Sequence, residues 1–258
     1  MLEVNEIFGP TIQGEGKLIG SPSIFIRFGK CNFKCVGFNV EYETPSGVKK
    51  CACDSYYAVD MEFKDSWKSY ENHLDIVNIT NKLLENYSYK NSVDVVITGG
   101  EPLLYWNNQE FQNLIKHYIN KNQRVTIETN GSLNIDFKED YQKKIIFSMS
   151  VKLSNSLEPL KKRVNKSTLT KILQNTKESY LKFVIGDDFL ENAIVEIEDI
   201  LKNIPQCEVY LMPLGDNSKT IEPSVAAMLA KEKAAGIDTL EYYQNFQSKV
   251  EKIKYDFI

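Results

Sequence analysis

The sequence predicts an α/β protein: a single-domain, incomplete (β/α) barrel that gathers its chemistry at one rim. Two observations carry that prediction. Apolar runs of strand length alternate with helix-period stripes along most of the chain. The segments rich in reactive residues follow directly on three of those runs, where a parallel barrel places its active site. A length of 258 residues suits one such domain, so residues 1–258 are read as one unit with an excursion at about 36–50.

Taken in order, Ser23–Phe28 alternates as a first strand and ends at Gly29, ahead of the cysteines. Gln13-Gly14-Glu15-Gly16 is a Gly-rich loop before it. Leu74–Tyr87 carries Ile76, Val77, Ile79, Leu83 and Leu84 at helical spacing. Val93–Thr98 is a buried strand closed by two glycines, and Phe111, Leu114, Ile115, Tyr118 and Ile119 mark the next helix. Arg124–Glu128, Lys144–Met149 and Tyr180–Ile185 are strands, Glu191–Leu201 is a helix and Glu208–Met212 a last strand. Ser224–Ala235 is a helix stopped by Gly236. Strands and helices in this alternation imply right-handed βα units on a parallel sheet, curled into a full or partial barrel.

Bulk properties narrow the function classes. At 42% hydrophobic, 26% charged and net charge −4, nothing points to a nucleic-acid surface or a polybasic membrane patch. The start, Met1-Leu-Glu-Val-Asn-Glu, lacks a cationic region followed by an apolar core, and no apolar run approaches the ~20 residues of a membrane span. The expectation is a cytoplasmic protein. Two histidines, His73 and His117, fall at and within helical patterns, which argues against imidazole chemistry.

The cysteines say more. Four of the five lie between positions 31 and 53, a cluster that in a reducing compartment means metal or redox chemistry rather than disulfides. Cys207 stands apart as an ordinary thiol. Cys31-Asn-Phe-Lys-Cys35 is a compact pair, but position 38 is Phe38, and the next thiols are Cys51 and Cys53, beyond the polar stretch Val36–Lys50. Three thiolates on a four-iron cluster leave one iron free for a small chelating ligand. A four-thiolate zinc site built from Cys31, Cys35, Cys51 and Cys53 is the plain alternative.

Thr98-Gly99-Gly100-Glu101-Pro102 ends a strand with a backbone open to a ligand and a carboxylate able to pair with an ammonium group. Arg27, if it faces inward, needs an anionic partner such as a substrate carboxylate; outward, it is a surface arginine, and the pattern alone does not choose. Asp54-Ser55 offers hard oxygens for Mg²⁺, or a simple turn.

These segments resemble the radical S-adenosylmethionine superfamily and, within it, the 7-carboxy-7-deazaguanine synthase family. The likeness runs from Glu6 to about Gly215. It takes in Glu6–Gly16, Pro22–Arg27, the cysteines with Cys53-Asp54-Ser55, Thr98–Pro102, Glu128–Gly131, Ser148–Lys152, Lys182–Val184 and Leu211–Gly215. The resemblance implies that Cys31, Cys35 and Cys53 hold a [4Fe-4S] cluster, Cys53 being preferred to Cys51 because Asp54-Ser55 follows it. Ser55 would hold Mg²⁺, and Ile12, Gln13, Gly14, Arg27 and Thr98 would bind a pterin, with Arg27, Gln13 and Glu15 as the catalytic group.

S-adenosylmethionine would lie on Gly100, Glu101, Glu128, Asn130, Ser150, Val151 and Lys152, with Met212, Pro213, Leu214 and Gly215. The implied reaction is ring contraction of 6-carboxy-5,6,7,8-tetrahydropterin to 7-carboxy-7-deazaguanine with loss of ammonia, on the route to queuosine. The implied partners are an electron donor such as flavodoxin or ferredoxin and a second subunit in a homodimer, with no nucleic acid and no membrane. Two rival readings remain: an activase that installs a glycyl radical on a partner protein, and a non-catalytic zinc-stabilised module.

Overall fold

The computed structural model describes residues 1–87, 90–186 and 189–214. Its frame is one eight-stranded sheet. Strand β1 (Leu2–Ile12) runs antiparallel to β2 (Pro22–Phe28), which leads into the cysteine loop. That loop carries a small hairpin, β3 (Val40–Glu43) and β4 (Lys49–Ala52), then a single helical turn α1 (Tyr56–Val59) and the short strand β5 (Lys68–Tyr70). Helix α2 (His73–Leu83) then leads to β6 (Asp94–Gly99), and α3 (Gln109–Asn120) to β7 (Val125–Thr129).

After β8 (Ile146–Ser150) come α4 (Leu160–Arg163), α5 (Lys166–Asn175) and β9 (Tyr180–Ile185). Helix α6 (Leu190–Leu201) and β10 (Val209–Pro213) complete the described chain. The strand order is β10-β9-β8-β7-β6-β2-β1-β5. Strands β2 and β6 to β10 pair in parallel, while β1 and β5 join antiparallel at one edge. The sheet is an open, incomplete barrel, as the strand–helix alternation predicts.

Two expectations need correction, and a third gains detail. Ser23–Phe28 is the second strand, because residues before the Gly-rich loop form β1; the Gly9-Pro10 step hides its alternation. Within and just beyond the polar excursion expected at 36–50, Val40–Glu43 pairs with Lys49–Ala52 as a hairpin, with Cys51 opposite Glu41. The β7–β8 crossover has no α-helix, only a 3₁₀ turn at Asp140–Lys144. The helix expected at Ser224–Ala235 lies outside the described residues.

Period-two alternation sorts the strands into two faces. Ile26 and Phe28 on β2, Val95 and Ile97 on β6, Ile127 on β7 and Phe147 on β8 join one core with Phe111, Leu114 and Ile115 of α3. The residues between them, Arg27, Thr98, Glu128 and Lys182 among others, face the inside of the barrel. Leu18, Ile146 and Tyr180 form a separate apolar cluster with Tyr210. His73 pairs through Nδ1 with Glu110 at 2.7 Å, its ring 6.5 Å from that of His117, and neither histidine lines the cavity described below. Among the described residues no helix is long and apolar enough to cross a membrane.

Helix α3 is the main cover of the central strands, and Leu114 at its centre is fully buried. Leu114→Ala should cost about 2–5 kcal/mol in urea unfolding, since a buried leucine loses its transfer energy and leaves a cavity. A loss below about 1 kcal/mol would mean that α3 is not what closes this side of the sheet.

Candidate active site

At the carboxyl ends of the parallel strands the barrel encloses a cavity of about 420 Å³. One wall is the loop after β2. Its backbone is left-handed at Lys30 (φ 73°) and Cys35 (φ 48°), a region side-chain-bearing residues seldom enter unless neighbours hold them there. Glu158 is such a neighbour: its carboxylate accepts from the backbone N–H groups of Lys34 (2.6 Å) and Cys35 (3.1 Å), and Lys162 pairs with it at 2.9 Å. Asn32 ties the same loop to the β7 end, donating to Ser132 Oγ (2.9 Å) and accepting from Asn130 Nδ2 (2.8 Å).

The two glycines after Thr98 have a sharper reason than ligand access. A Cβ on Gly99 would collide with the Phe28 carbonyl oxygen, and one on Gly100 with that of Lys30. Without side chains, the Gly100 N–H reaches the Phe28 carbonyl (3.1 Å) and the Glu101 N–H reaches that of Lys30 (2.8 Å). The end of β6 therefore lies directly on the start of the cysteine loop.

Cys31, Cys35 and Cys53 all line the cavity; Cys51, on β4, does not. Burial pushes the Cys35 thiol up to about 12, with Cys53 and Glu158 adding to the rise while Lys152 and Lys162 oppose it. Burial likewise raises Cys31, helped by Glu101, and Cys53, helped by Asp54. Such thiols stay protonated until a metal centre displaces the proton. Among the described residues no three His, Cys, Asp or Glu side chains converge closely enough to hold a single metal ion. Three thiols lining one cavity fit an iron–sulfur cluster, in which separate irons take separate thiolates.

The opposite wall is charged. Arg27 faces inward, which decides the question its sequence left open. Its Nε donates to Glu6 at 2.7 Å, and its guanidinium lies 5.7 Å from the Tyr57 ring and 5.9 Å from that of Phe8. Lys182, only 5% exposed, pairs with Glu15 and stands 3.9 Å from Glu128, which accepts from Thr98 Oγ1 at 2.7 Å. Burial disfavours both charges of the Lys182–Glu15 pair. Their mutual attraction, with Glu128 acting on the lysine and Lys152 on the glutamate, still raises Lys182 and holds Glu15 below the usual carboxylate range. Lys152 donates to Ser150 at 2.9 Å and lies 5.4 Å from the Phe38 ring centre.

Most of the expected residues meet here. Gln13, Gly14, Glu15, Arg27 and Thr98 line the cavity, and so do Gly100, Glu128, Asn130, Ser150, Lys152 and Leu214. Ser55 joins them beside Cys53, donating to Asp54 at 3.2 Å. Ile12, Val151, Met212 and Pro213 do not line it: Val151 belongs to the core, Ile12 ends β1 and the other two end β10. Gly215 lies outside the described residues.

Glu101 differs most from expectation. It is fully buried, and its carboxylate accepts from Leu103 N (2.9 Å), Thr129 Oγ1 (2.7 Å) and Asn130 N (2.7 Å) instead of facing an ammonium group. Capping the turn after β6 occupies both of its oxygens. Tyr57, Asn32 and Glu158 were not singled out by the sequence, and Lys182 only through the family likeness. Strand alternation on β9 carried the signal for Lys182; for Glu158 there was none.

Thiols on the loop after the first parallel strand, above an incomplete barrel, define an iron–sulfur enzyme of the radical S-adenosylmethionine class. The chain matches the family model of a 4Fe-4S single cluster domain over residues 12–177. A shorter match, to a C-methyltransferase C-terminal domain, spans residues 207–258, most of them outside the described residues. It is 30% identical to the 7-carboxy-7-deazaguanine synthase of Buchnera aphidicola subsp. Schizaphis graminum, over 93% of this chain and 96% of that protein. It is also 30% identical to that of Rickettsia prowazekii (91% and 83%) and 29% to that of Halobacterium salinarum (83% and 77%). The crystal structure of QueE from Escherichia coli shares the fold, with TM-score 0.54 and 19% identity over 91% of this chain and 90% of that one. The chain belongs to the 7-carboxy-7-deazaguanine synthase family. It is an enzyme, and the non-catalytic zinc module is set aside.

Two measurements check the cysteine wall. Cys53→Ala should abolish iron binding after anaerobic reconstitution while Cys51→Ala keeps it; the reverse pattern would move the third ligand to β4. Glu158→Ala should lower stability at pH 7 by about 1–3 kcal/mol, because two loop N–H groups lose their acceptor. Burial opposes the Glu158 charge, but Lys162 and those N–H groups win and hold its pKa below the ordinary 4.5. Its contribution is therefore complete above about pH 4.5 and lost as pH falls through the lower folded value. The gap between wild type and variant in thermal unfolding should narrow on acidification; a gap constant with pH would show that the carboxylate charge does not hold the loop.

Proposed function

We infer that this enzyme converts 6-carboxy-5,6,7,8-tetrahydropterin to 7-carboxy-7-deazaguanine with loss of ammonia, as a step toward queuosine and related 7-deazapurines. The observation that carries this reading is one cavity with two unlike walls: three thiols on one side, and Arg27, Gln13, Glu15 and Thr98 on the other. The relatives' activity as 7-carboxy-7-deazaguanine synthases supports it. Cys31, Cys35 and Cys53 would hold the cluster, which with S-adenosylmethionine would supply the radical chemistry for hydrogen abstraction from the substrate.

The chain's own part is to bind and orient. The Arg27 Nε is occupied by Glu6, and among the described residues its terminal nitrogens have no hydrogen-bond partner, so that edge is available to a substrate carboxylate. Glu15 and Glu128 are the cavity carboxylates available to the amine and amide N–H groups of a pterin, each steadied by Lys182. Lys152 offers a cation to the carboxylate of S-adenosylmethionine, near Gly100, Asn130 and Ser150; Glu101 supports this side by holding the Asn130 backbone. Asp54 and Ser55 would hold Mg²⁺ through hard oxygens. We take residues 1–258 as one cytoplasmic domain that pairs as a homodimer and receives electrons from a flavodoxin or ferredoxin.

The deciding experiment is anaerobic turnover of the reduced carboxypterin by cluster-loaded enzyme, with a deazaguanine product expected; none at full iron content would end this reading. Arg27→Ala should weaken carboxypterin binding by about 10- to 100-fold, the worth of hydrogen bonds to a charged group, with little effect on S-adenosylmethionine. Equal losses for both ligands would mean that Arg27 supports the fold and does not select the substrate.

A further inference from the structure

One surface patch beside the cysteine loop is built unlike the rest of the exterior. Val36, Leu157 and Leu160 are 43%, 69% and 62% exposed. They come from two segments in direct contact: a Cβ on Gly37 would lie 2.8 Å from Leu157 Cγ, and Glu158 bonds the backbone of Lys34 and Cys35. Scattered exposed aliphatics are ordinary, but a contiguous group marks an interaction surface. Leu157 carries a second cost, since its backbone is left-handed (φ 60°), where glycine would be free of both strain and exposure.

The charges on these two segments that lack an ion-pair partner among the described residues are basic. Lys34, Lys161 and Lys162 are exposed, and Glu158, the carboxylate among them, is turned inward with 8% of its side chain exposed. Lys162 neutralises Glu158, whereas Lys34 and Lys161 have no ion-pair partner among the described residues. This basic rim stands out on a chain of net charge −4. Val36 also directly follows Cys35, a thiol of the cavity wall, so a protein seated on the patch comes within one residue of the cysteine site.

We propose that Val36, Leu157 and Leu160, rimmed by Lys34 and Lys161, form the docking surface for a small acidic electron-carrier protein. The apolar centre supplies contact area, and the lysines supply steering and orientation toward negative partners. On docking, the carrier is oxidised by one electron and the centre held by the cysteines is reduced by one, with no bond made or broken at the surface. Electron transfer weakens steeply with distance, which favours the face where the cysteine loop reaches the exterior. The proposal rests on the radical-enzyme reading above.

The test is anaerobic calorimetry of the full-length, cluster-loaded enzyme with a bacterial flavodoxin as probe. Wild type should bind with an affinity that falls as salt rises. The variant Lys161→Glu should bind severalfold more weakly, and Leu157→Ser should weaken binding without changing its salt dependence. Iron content and dithionite-driven cleavage of S-adenosylmethionine should match wild type in both. Unchanged affinity in the variants, or no binding by wild type, would overturn the docking surface. So would L157S/L160S converting a dimer to a monomer in light scattering, since a second copy of this chain would then be the occupant. Failure of the radical reading shows separately, as iron-loaded wild type that cleaves no S-adenosylmethionine with dithionite.

Discussion

The buried carboxylate of Glu101 joins the three loops on which the site depends. Its oxygens hold the turn after β6 and the backbone after β7, while its own N–H bonds the start of the cysteine loop at Lys30. Burial raises its pKa, and the N–H groups of Asn130 and Leu103 with the Thr129 hydroxyl oppose that rise. A buried carboxylate with every acceptor used is tolerable; one that lost a partner would be costly. The bare backbone of Gly99 and Gly100 is what lets these loops approach closely enough to share it.

Around that junction the cavity divides its charges. The thiol wall faces cations, Lys152 and Lys162, that would ease the loss of thiol protons when a metal centre binds. On the other wall buried cations are matched by carboxylates, Lys182 by Glu15 and Glu128, and Arg27 by Glu6. Pairs of this kind contribute little net stability, because desolvation offsets attraction. Their value lies in fixing where charged groups stand. A cavity that binds charged ligands gains from having that order in place before they arrive.

The hairpin within the cysteine loop changes how the broken motif is understood. Between Cys35 and Cys53 the chain leaves the cavity, pairs β3 with β4 and returns. Lys50 bonds Asp60 and Glu62 at 2.8 and 2.7 Å, and Tyr42 also bonds Asp60 at 2.8 Å, so the excursion is anchored to the segment after α1. Cys53 comes back to the wall while Cys51 stays on the hairpin. The length of an insertion matters little when its two ends are held together.

Much was legible in the sequence because it rests on local periodicity: the parallel strands from Ser23–Phe28 onward, the stripes of α2, α3 and α6, and the cysteines and Gly-Gly-Glu-Pro at strand ends. The first strand was hidden by Gly9-Pro10, and the helices of the β8–β9 crossover are too short and polar to announce themselves. Residue type and spacing determined the fold class and the iron–sulfur chemistry, since both follow from which side chains recur and which elements they can ligate. The tertiary structure alone decided that Arg27 faces inward, that Glu101 is a buried cap, that Glu158 clamps the cysteine loop from more than a hundred residues away, and which thiols share the cavity. Those outcomes depend on the sheet bringing distant strand ends to one rim, and no local pattern encodes a contact whose partners lie that far apart in the chain.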